Sequence, residues 1–324
     1  MSAPSRPALD PEAREGFREA GRIAFQARTL GASRIRPGVL LREVMEEVED
    51  YIRSQGAGVA FPAQTSRNHI AAHYCPGPAD ATVYEEGDMV KIDVGVEVDG
   101  WIADTAQTVY LGREPRLERL RDASLKALQA AIAAAGPGVR VSRVSAAIEQ
   151  AIAATGFRPV YNLTGHGLDR WQVHTAPQVP PTPDRHGDRE LLPGMVVAVE
   201  PFATDGAGTV HEQGRAEVFM ILRPPRKRKG IDPEVWRHIE ALHGLPFARR
   251  SIPRPLHGQR LESTLARLIR TGCLLAFPPL ADPDPGVRIS QHEHTLLILE
   301  DGVEVLTGGG DPQSLRPGRQ AGRA

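Results

Sequence analysis

Two cysteines, Cys75 and Cys273, are all that the 324 residues contain. That is too few for a disulfide framework, and the pair has no CxxC spacing, so a reducing, cytoplasmic compartment is expected. An excess of charge of either sign is also missing. Lys and Arg number 39 against 40 Asp and Glu, a formal net charge of −1, which gives no global attraction to nucleic acid or to an anionic membrane. No apolar run approaches the roughly 20 residues that span a bilayer. The opening MSAPSRPALDPEAR lacks the apolar core of a signal peptide. What is present is ordinary globular material: 41% hydrophobic and 24% charged residues, enough for one large domain or two smaller ones. Residues 1–10 and the Gly/Arg-rich end, 308–324, read as disordered.

Asp10-Pro11 is a helix start, an N-cap followed by a proline at the first helical position, and predicts a helix to about Leu30. A second helix is expected from about Leu40 to Ser54, with Val44, Val48 and Ile52 on one face. Two more follow a hairpin, around 115–135 and 142–155. The chain repeats itself here. Pro37, Gly38, Val39, Val44, Val48, Glu49, Ile52 and Gly56 recur in kind 100 residues later, as Pro137, Gly138, Val139, Val144, Ile148, Glu149, Ile152 and Gly156. Eight gapless matches favour a duplication over the chance likeness of two amphipathic helices. In the same way Gly87-DMVKI-Asp93 resembles Gly194-MVVAV-Glu200, which puts Asp93 and Glu200 at equivalent strand positions facing a shared cleft. Residues 223–286 differ in texture, with a basic PPRKRKG loop, many prolines and helices expected at 232–243 and 261–271. They read as an inserted helical subdomain. A last strand pair, about 290–306, turns at Asp301-Gly302.

The segment KIDVGVEVDGWIADTAQTVY holds three aspartates in a hairpin, although Asp is a poor strand former. Asp99-Gly100 is the two-residue signal of a type I′ turn, which explains one of them. The turn fixes the register: Gly95 opposite Asp104 and Asp93 opposite Ala106. Side chains alternate, so Asp93 and Asp104 share a face as diagonal neighbours, about 7–8 Å apart between Cα atoms. Gly95 and Ala106 complete that face with little bulk, leaving room for ions. Two like charges there repel unless they are protonated or neutralised by a cation. Further acids elsewhere make the cation the better reading, with a protonated dyad as the alternative.

Other candidates stand in distinctive contexts. NLTGHGLDRWQVH carries His166 and His174. A lone histidine is more often structural, although imidazole is a common metal ligand. VVAVEPF ends an apolar run with Glu200, where an unpaired carboxylate is costly. SQHEHTLLIL places Glu293 on a strand, with His292 and His294 sent by alternation to the opposite face. AAHYCP puts His73 in a loop.

Taken together, AFPAQTSRNHIAAHYCP, VKIDVGVEVDGWIADTAQTV, NLTGHGLDRWQVH, VVAVEPFATDGAG, LPFARR and QHEHTLLI resemble the type II methionine aminopeptidases of the pita-bread metallopeptidase superfamily, over about residues 15–306. The resemblance implies an α+β pita-bread fold. Its two pseudo-two-fold related halves form a mainly antiparallel sheet covered by helices, as a catalytic domain over 11–222 and 287–307. A winged-helix-like insertion occupies 223–286. It implies two divalent metal ions (manganese, iron, cobalt or zinc) held by Asp93, Asp104, His166, Glu200 and Glu293, with Asp104 and Glu293 bridging. The implied activity is removal of the N-terminal methionine from nascent polypeptides and peptides, by attack of metal-activated hydroxide on the first peptide bond. Glu200 then acts as proton shuttle, His174 steadies the oxyanion and His73 contacts the substrate near the leaving group. Phe61, Val173 and Phe277 match positions of the methionine pocket. His292 departs from the family, which commonly carries Phe there. A monomer is expected, and the basic loop reads as a solvated charged segment, with transient ribosome contact as the alternative. The rival readings are an Xaa-Pro aminopeptidase or dipeptidase on the same ligands, and a non-catalytic, ribosome- or RNA-associated adaptor, which would lack parts of the ligand set filled here.

Overall fold

The structure, a computed structural model, describes residues 9–184 and 188–309. The disorder expected of 1–10 and 308–324 therefore falls almost wholly outside the described residues. Helix α1 spans Pro11–Arg34, and the Asp10 side chain accepts a 2.8 Å hydrogen bond from the Ala13 N–H, as its N-cap position requires. Helix α2 covers Leu41–Ser54 and buries Val44, Val48 and Ile52, the stripe read from their spacing. Helices α3 and α4 cover Pro115–Ala134 and Val141–Ala153.

The two helical pairs correspond in local detail. α1 and α3 end 100 residues apart, and each is closed by the next N–H, from Ile35 to the Gly31 carbonyl and from Ala135 to the Ala131 carbonyl. Gly38 and Gly138 then turn the chain with φ of 84° and 75°, a left-handed conformation natural to glycine. Their N–H groups donate to the carbonyls of Tyr84 (2.8 Å) and Leu191 (2.7 Å). Farther on, the Gly87 and Gly194 N–H groups reach Leu111 and Ile298 at 2.9 Å each. The structure thus repeats, hydrogen bond for hydrogen bond, the duplication visible in the sequence.

Each half lays its helices on one face of a sheet. In the first, Gly58–Arg67, Met89–Val98 and Trp101–Tyr110 form an antiparallel sheet, and Val90, Ile92, Val94 and Val96 pack with α1 and α2. Alternation turns Asp93 and Gly95 to the other face. In the second, five strands run in the order Val303–Val305, His294–Ile298, Val196–Val199, Gly165–Asp169, Gln172–Val179. Val197, Val199 and Leu296 pack with α3 and α4. The faces turned away from the helices carry the candidate site residues.

A further small sheet, Phe247–Ala248, Val218–Ile221 and Leu274–Phe277, packs with helices α5 (Pro233–Glu240) and α6 (Gln259–Arg270) around a separate core of Val235, Trp236, Leu261, Leu265 and Leu268. Arg250 fastens this unit to α2 and the first sheet. Its guanidinium grips both Glu49 oxygens at 2.7 and 2.8 Å and the Ala63 carbonyl at 3.0 Å, with both side chains 3% exposed. Among the described residues no helix is long and apolar enough to cross a membrane.

Candidate metal centre

The hairpin has the register its turn demands. Asp99 and Gly100 have φ of 50° and 86°, both positive as a type I′ turn requires, with Asp93 opposite Ala106 and Gly95 opposite Asp104. The space beside Gly95, however, is not left for ions. A Cβ there would lie 2.3 Å from the Phe61 ring, which faces Gly95 across the neighbouring strand. Gly95 admits an aromatic wall, and the open volume lies farther along the face.

His166 comes from the Gly165–Asp169 strand of the other half. The flanking glycines are dictated by backbone proximity: a Cβ on Gly165 would meet the Ala198 carbonyl at 2.4 Å, and one on Gly167 the Ala176 carbonyl at 2.4 Å. The return strand brings His174 back to His166, with ring centroids 4.4 Å apart and an interplanar angle of 70°.

Glu293 is not on a strand, contrary to the sequence expectation. Ile289–Gln291 pairs with Phe202–Thr204, and His294–Ile298 pairs with Val196–Val199. Both partners break together, one at Glu200-Pro201 and the other at His292-Glu293. Pro201 has no N–H to give to a ladder, so the opposite residues lose their partner there. The freed Glu293 N–H donates instead to the Ala106 carbonyl at 2.9 Å. The same break puts Glu200 and Glu293 beside the hairpin acids. His292 and His294 still turn away: His292 Nδ1 shares a 2.9 Å hydrogen bond with Ser124 on α3, and His294 Nδ1 one of 2.8 Å with Thr307.

The four acids and His166 meet in one cavity of about 240 Å³ between the halves, and its lining also includes Phe61, His73, Val173, His174 and Phe277, so every site residue expected from the sequence is brought together. His166 Nε2 stands 3.7 Å from Asp104 Oδ2 and 3.6 Å from Glu200 Oε1. Asp104, His166 and Glu293 each offer a ligand atom within 4.8 Å of the others, a spacing that fits a cation. Asp93 Oδ1, Asp104 Oδ1 and Glu293 Oε1 are buried without a hydrogen-bond partner. Orphaned carboxylate oxygens are costly unless a cation or proton meets them, so this donor set fits metal. Its electrostatics agree. Burial, then neighbouring carboxylates, drive Asp104 and Glu293 well above the usual carboxylate range; Glu200 follows for the same causes, and burial raises Asp93 to about 7. Burial, with His174 nearby, lowers His166 to about 3, which keeps the imidazole neutral and able to ligate.

His73 sits in a left-handed turn (φ 66°), its N–H held by Gln64 Oε1 at 2.8 Å and its ring edge-on to Phe277, 5.6 Å between centroids. Burial lowers its pKa to about 4.

Several supporting residues went unnoticed in the sequence. Gln291 Nε2 donates to both Glu200 and Glu293 at 3.4 Å. Thr295 Oγ1 accepts from the Asp104 N–H (2.8 Å) and donates to the Asp104 carbonyl (2.7 Å). Thr105 Oγ1 donates to the Glu293 carbonyl at 2.9 Å, and Arg28 on α1 donates to Thr105 Oγ1. Every one of these bonds except those of Gln291 to Glu293 and Gln64 to His73 crosses long stretches of chain. The only local signal was the polar residue two positions before Glu293, in QHEH.

Residues 15–264 match metallopeptidase family M24. The methionine aminopeptidase of Archaeoglobus fulgidus is 41% identical over 300 residues, covering 92% of this chain and 100% of the relative. That of Pyrococcus horikoshii is 39% identical over 290 residues, 89% of this chain and 97% of the relative. Among solved structures, a Thermotoga maritima methionine aminopeptidase aligns with a TM-score of 0.68 at 23% identity (92% of this chain, 97% of that one). A thermophilic Arx1 aligns with a TM-score of 0.80 at 15% identity (96% and 95%), and at such identities both show the pita-bread fold alone. Family match, relatives and the buried acid–histidine cluster agree: the chain belongs to metallopeptidase family M24.

Proposed function

We propose that the chain is a type II methionine aminopeptidase, which removes the N-terminal methionine from nascent polypeptides and peptides with two divalent ions (manganese, iron, cobalt or zinc). The observation that carries this reading is the convergence of four carboxyl side chains and one neutral imidazole, with three orphaned oxygens, at the end of a small cavity. The relatives named methionine aminopeptidase support the substrate, and the insertion preceding Glu293 supports the type. In this reading residues 11–222 and 287–307 are the catalytic domain and 223–286 the insertion.

Asp93, Asp104, His166, Glu200 and Glu293 would hold the metals. When bound, the ions supply Lewis acidity and an acidified water. Glu200, steadied by Gln291, takes the proton of the attacking water and passes it to the leaving amine. His174 donates to the developing oxyanion. His73, neutral and held by Gln64, contacts the substrate on the leaving-group side. The free amine of the substrate enters toward the acids, while Phe61, Val173 and Phe277 form the apolar wall for the methionine side chain. We further propose a cytoplasmic monomer.

Two peptides test the reading. Metal-loaded protein releases methionine from Met-Ala-Ser and leaves Ala-Pro intact; the reverse preference would assign an Xaa-Pro peptidase. Cleavage of neither peptide would favour the adaptor.

A further inference from the structure

Beside the catalytic cavity lies a second depression of about 710 Å³, against 240 Å³ for the cavity itself. One wall is the loop leading from His69 to Asp80; the others are the segment around Glu217, Arg249 and the start of α6. His73 lines both spaces. So does the edge where Ala72 pairs with Leu280, since those two face the cavity while Ile70, Pro279 and Ala281 face the groove.

The groove contains polar groups that the fold leaves unmet. Arg249 is 8% exposed, and its Nε and Nη1 have no hydrogen-bond partner. Nε lies 3.3 Å from carboxylate oxygens of both Glu217 and Glu262 without the alignment of a hydrogen bond, and Nη2 makes only a 3.4 Å bond to the Ala216 carbonyl. Glu217 Oε2 is the ion-pair partner of that Nε, which leaves Nη1 as the open donor. A buried guanidinium donor left open carries a desolvation cost that a ligand carbonyl relieves. A peptide backbone offers a carbonyl and an N–H at every residue. The charges lining the groove are mixed, Arg215 and Arg249 against Asp80, Glu217 and Glu262, which suits a backbone better than a chain of one charge.

Direction follows from the cavity. The substrate's amine lies at the acids and His166, so the chain beyond the scissile bond runs away from them. A third depression, of about 550 Å³, opens on the side of His166 and His174, where the amine is held. The His73 side, that of the leaving group, opens into the groove. We propose that the groove receives the third and later residues of the substrate, with Arg249 donating to a carbonyl of its backbone. This rests on the aminopeptidase reading above and extends it from the first peptide bond to the emerging chain.

The test compares kcat/KM for Met-Ala with that for Met-Ala-Ser-Gly-Ser, using metal-loaded full-length protein. One charged hydrogen bond gained in the groove corresponds to about a tenfold preference for the longer peptide in the wild type. Arg249→Met removes the buried donors. Ala79→Trp fills the groove from an exposed loop position and leaves the core untouched. Both variants are expected to bring the long-to-short ratio down to about one to two. A wild-type ratio near one, or a ratio kept by Ala79→Trp, overturns the groove. Failure of the wild type to release methionine from either peptide would instead sink the aminopeptidase reading.

Discussion

Replacing Asp93 with Asn in the metal-free protein should make the fold more stable at neutral pH, not less. The Asp93 carboxyl is raised from its ordinary 3.8 to about 7, chiefly by burial. A folded-state pKa above the unfolded value means that the native state binds more protons between those two pH values. Stability therefore falls as pH rises from about 4 to 7 and stays reduced above it. The shift of about three units corresponds to a penalty of about 4 kcal/mol at pH 8. That is an upper figure, because the cavity side of the carboxyl still meets solvent. Asn keeps the shape and removes the ionisation. Urea unfolding of chelator-treated wild type and Asp93→Asn across pH 5–8 reads the effect. The variant should gain up to about 4 kcal/mol at pH 8, with a margin that shrinks toward pH 5. Adding a divalent ion should then stabilise the wild type more than the variant. A variant equal to or less stable than wild type at pH 8 would refute the idea that these acids strain the empty site.

Other perturbations probe the surroundings. Gln291→Leu removes the amide shared by Glu200 and Glu293 and should lower metal affinity or kcat by about 10–100-fold, with an unchanged circular dichroism spectrum. His73, lowered to about 4, is neutral through pH 5–9, so His73→Asn should reduce kcat/KM for Met-Ala-Ser without moving any limb of the profile between pH 6 and 8. A displaced limb there contradicts its assigned neutrality. Arg250→Ala leaves the buried Glu49 carboxylate only the half-exposed Arg53 at 3.3 Å and the Ala63 N–H, and should cost about 3 kcal/mol in thermal or urea unfolding, whereas a loss under 1 kcal/mol would deny the clamp.

The sequence disclosed most where signals were local. Asp99-Gly100 determined the hairpin register and hence the shared face of Asp93 and Asp104, and the 100-residue echo disclosed two related halves before any sheet was seen. What stayed hidden depends on contacts between distant segments. Glu293 looked like a strand residue because its break is caused by Pro201, about ninety positions earlier, on a strand whose pairing was not evident. Thr105, Thr295 and Arg28 are ordinary residues in ordinary elements until the chain brings 28, 105 and 293 together. Gly95 seemed to clear space for ions, and only the register of the third strand shows Phe61 filling it.

The central claim is that these five side chains hold metal for methionine removal. The most direct measurement is release of free methionine from Met-Ala-Ser by chelator-treated protein as manganese or cobalt is titrated back. The account predicts no release without metal, then release that rises and saturates by two equivalents per chain and is absent in Asp104→Asn, which remains folded. Release by the metal-free protein, or full activity in Asp104→Asn, would contradict it.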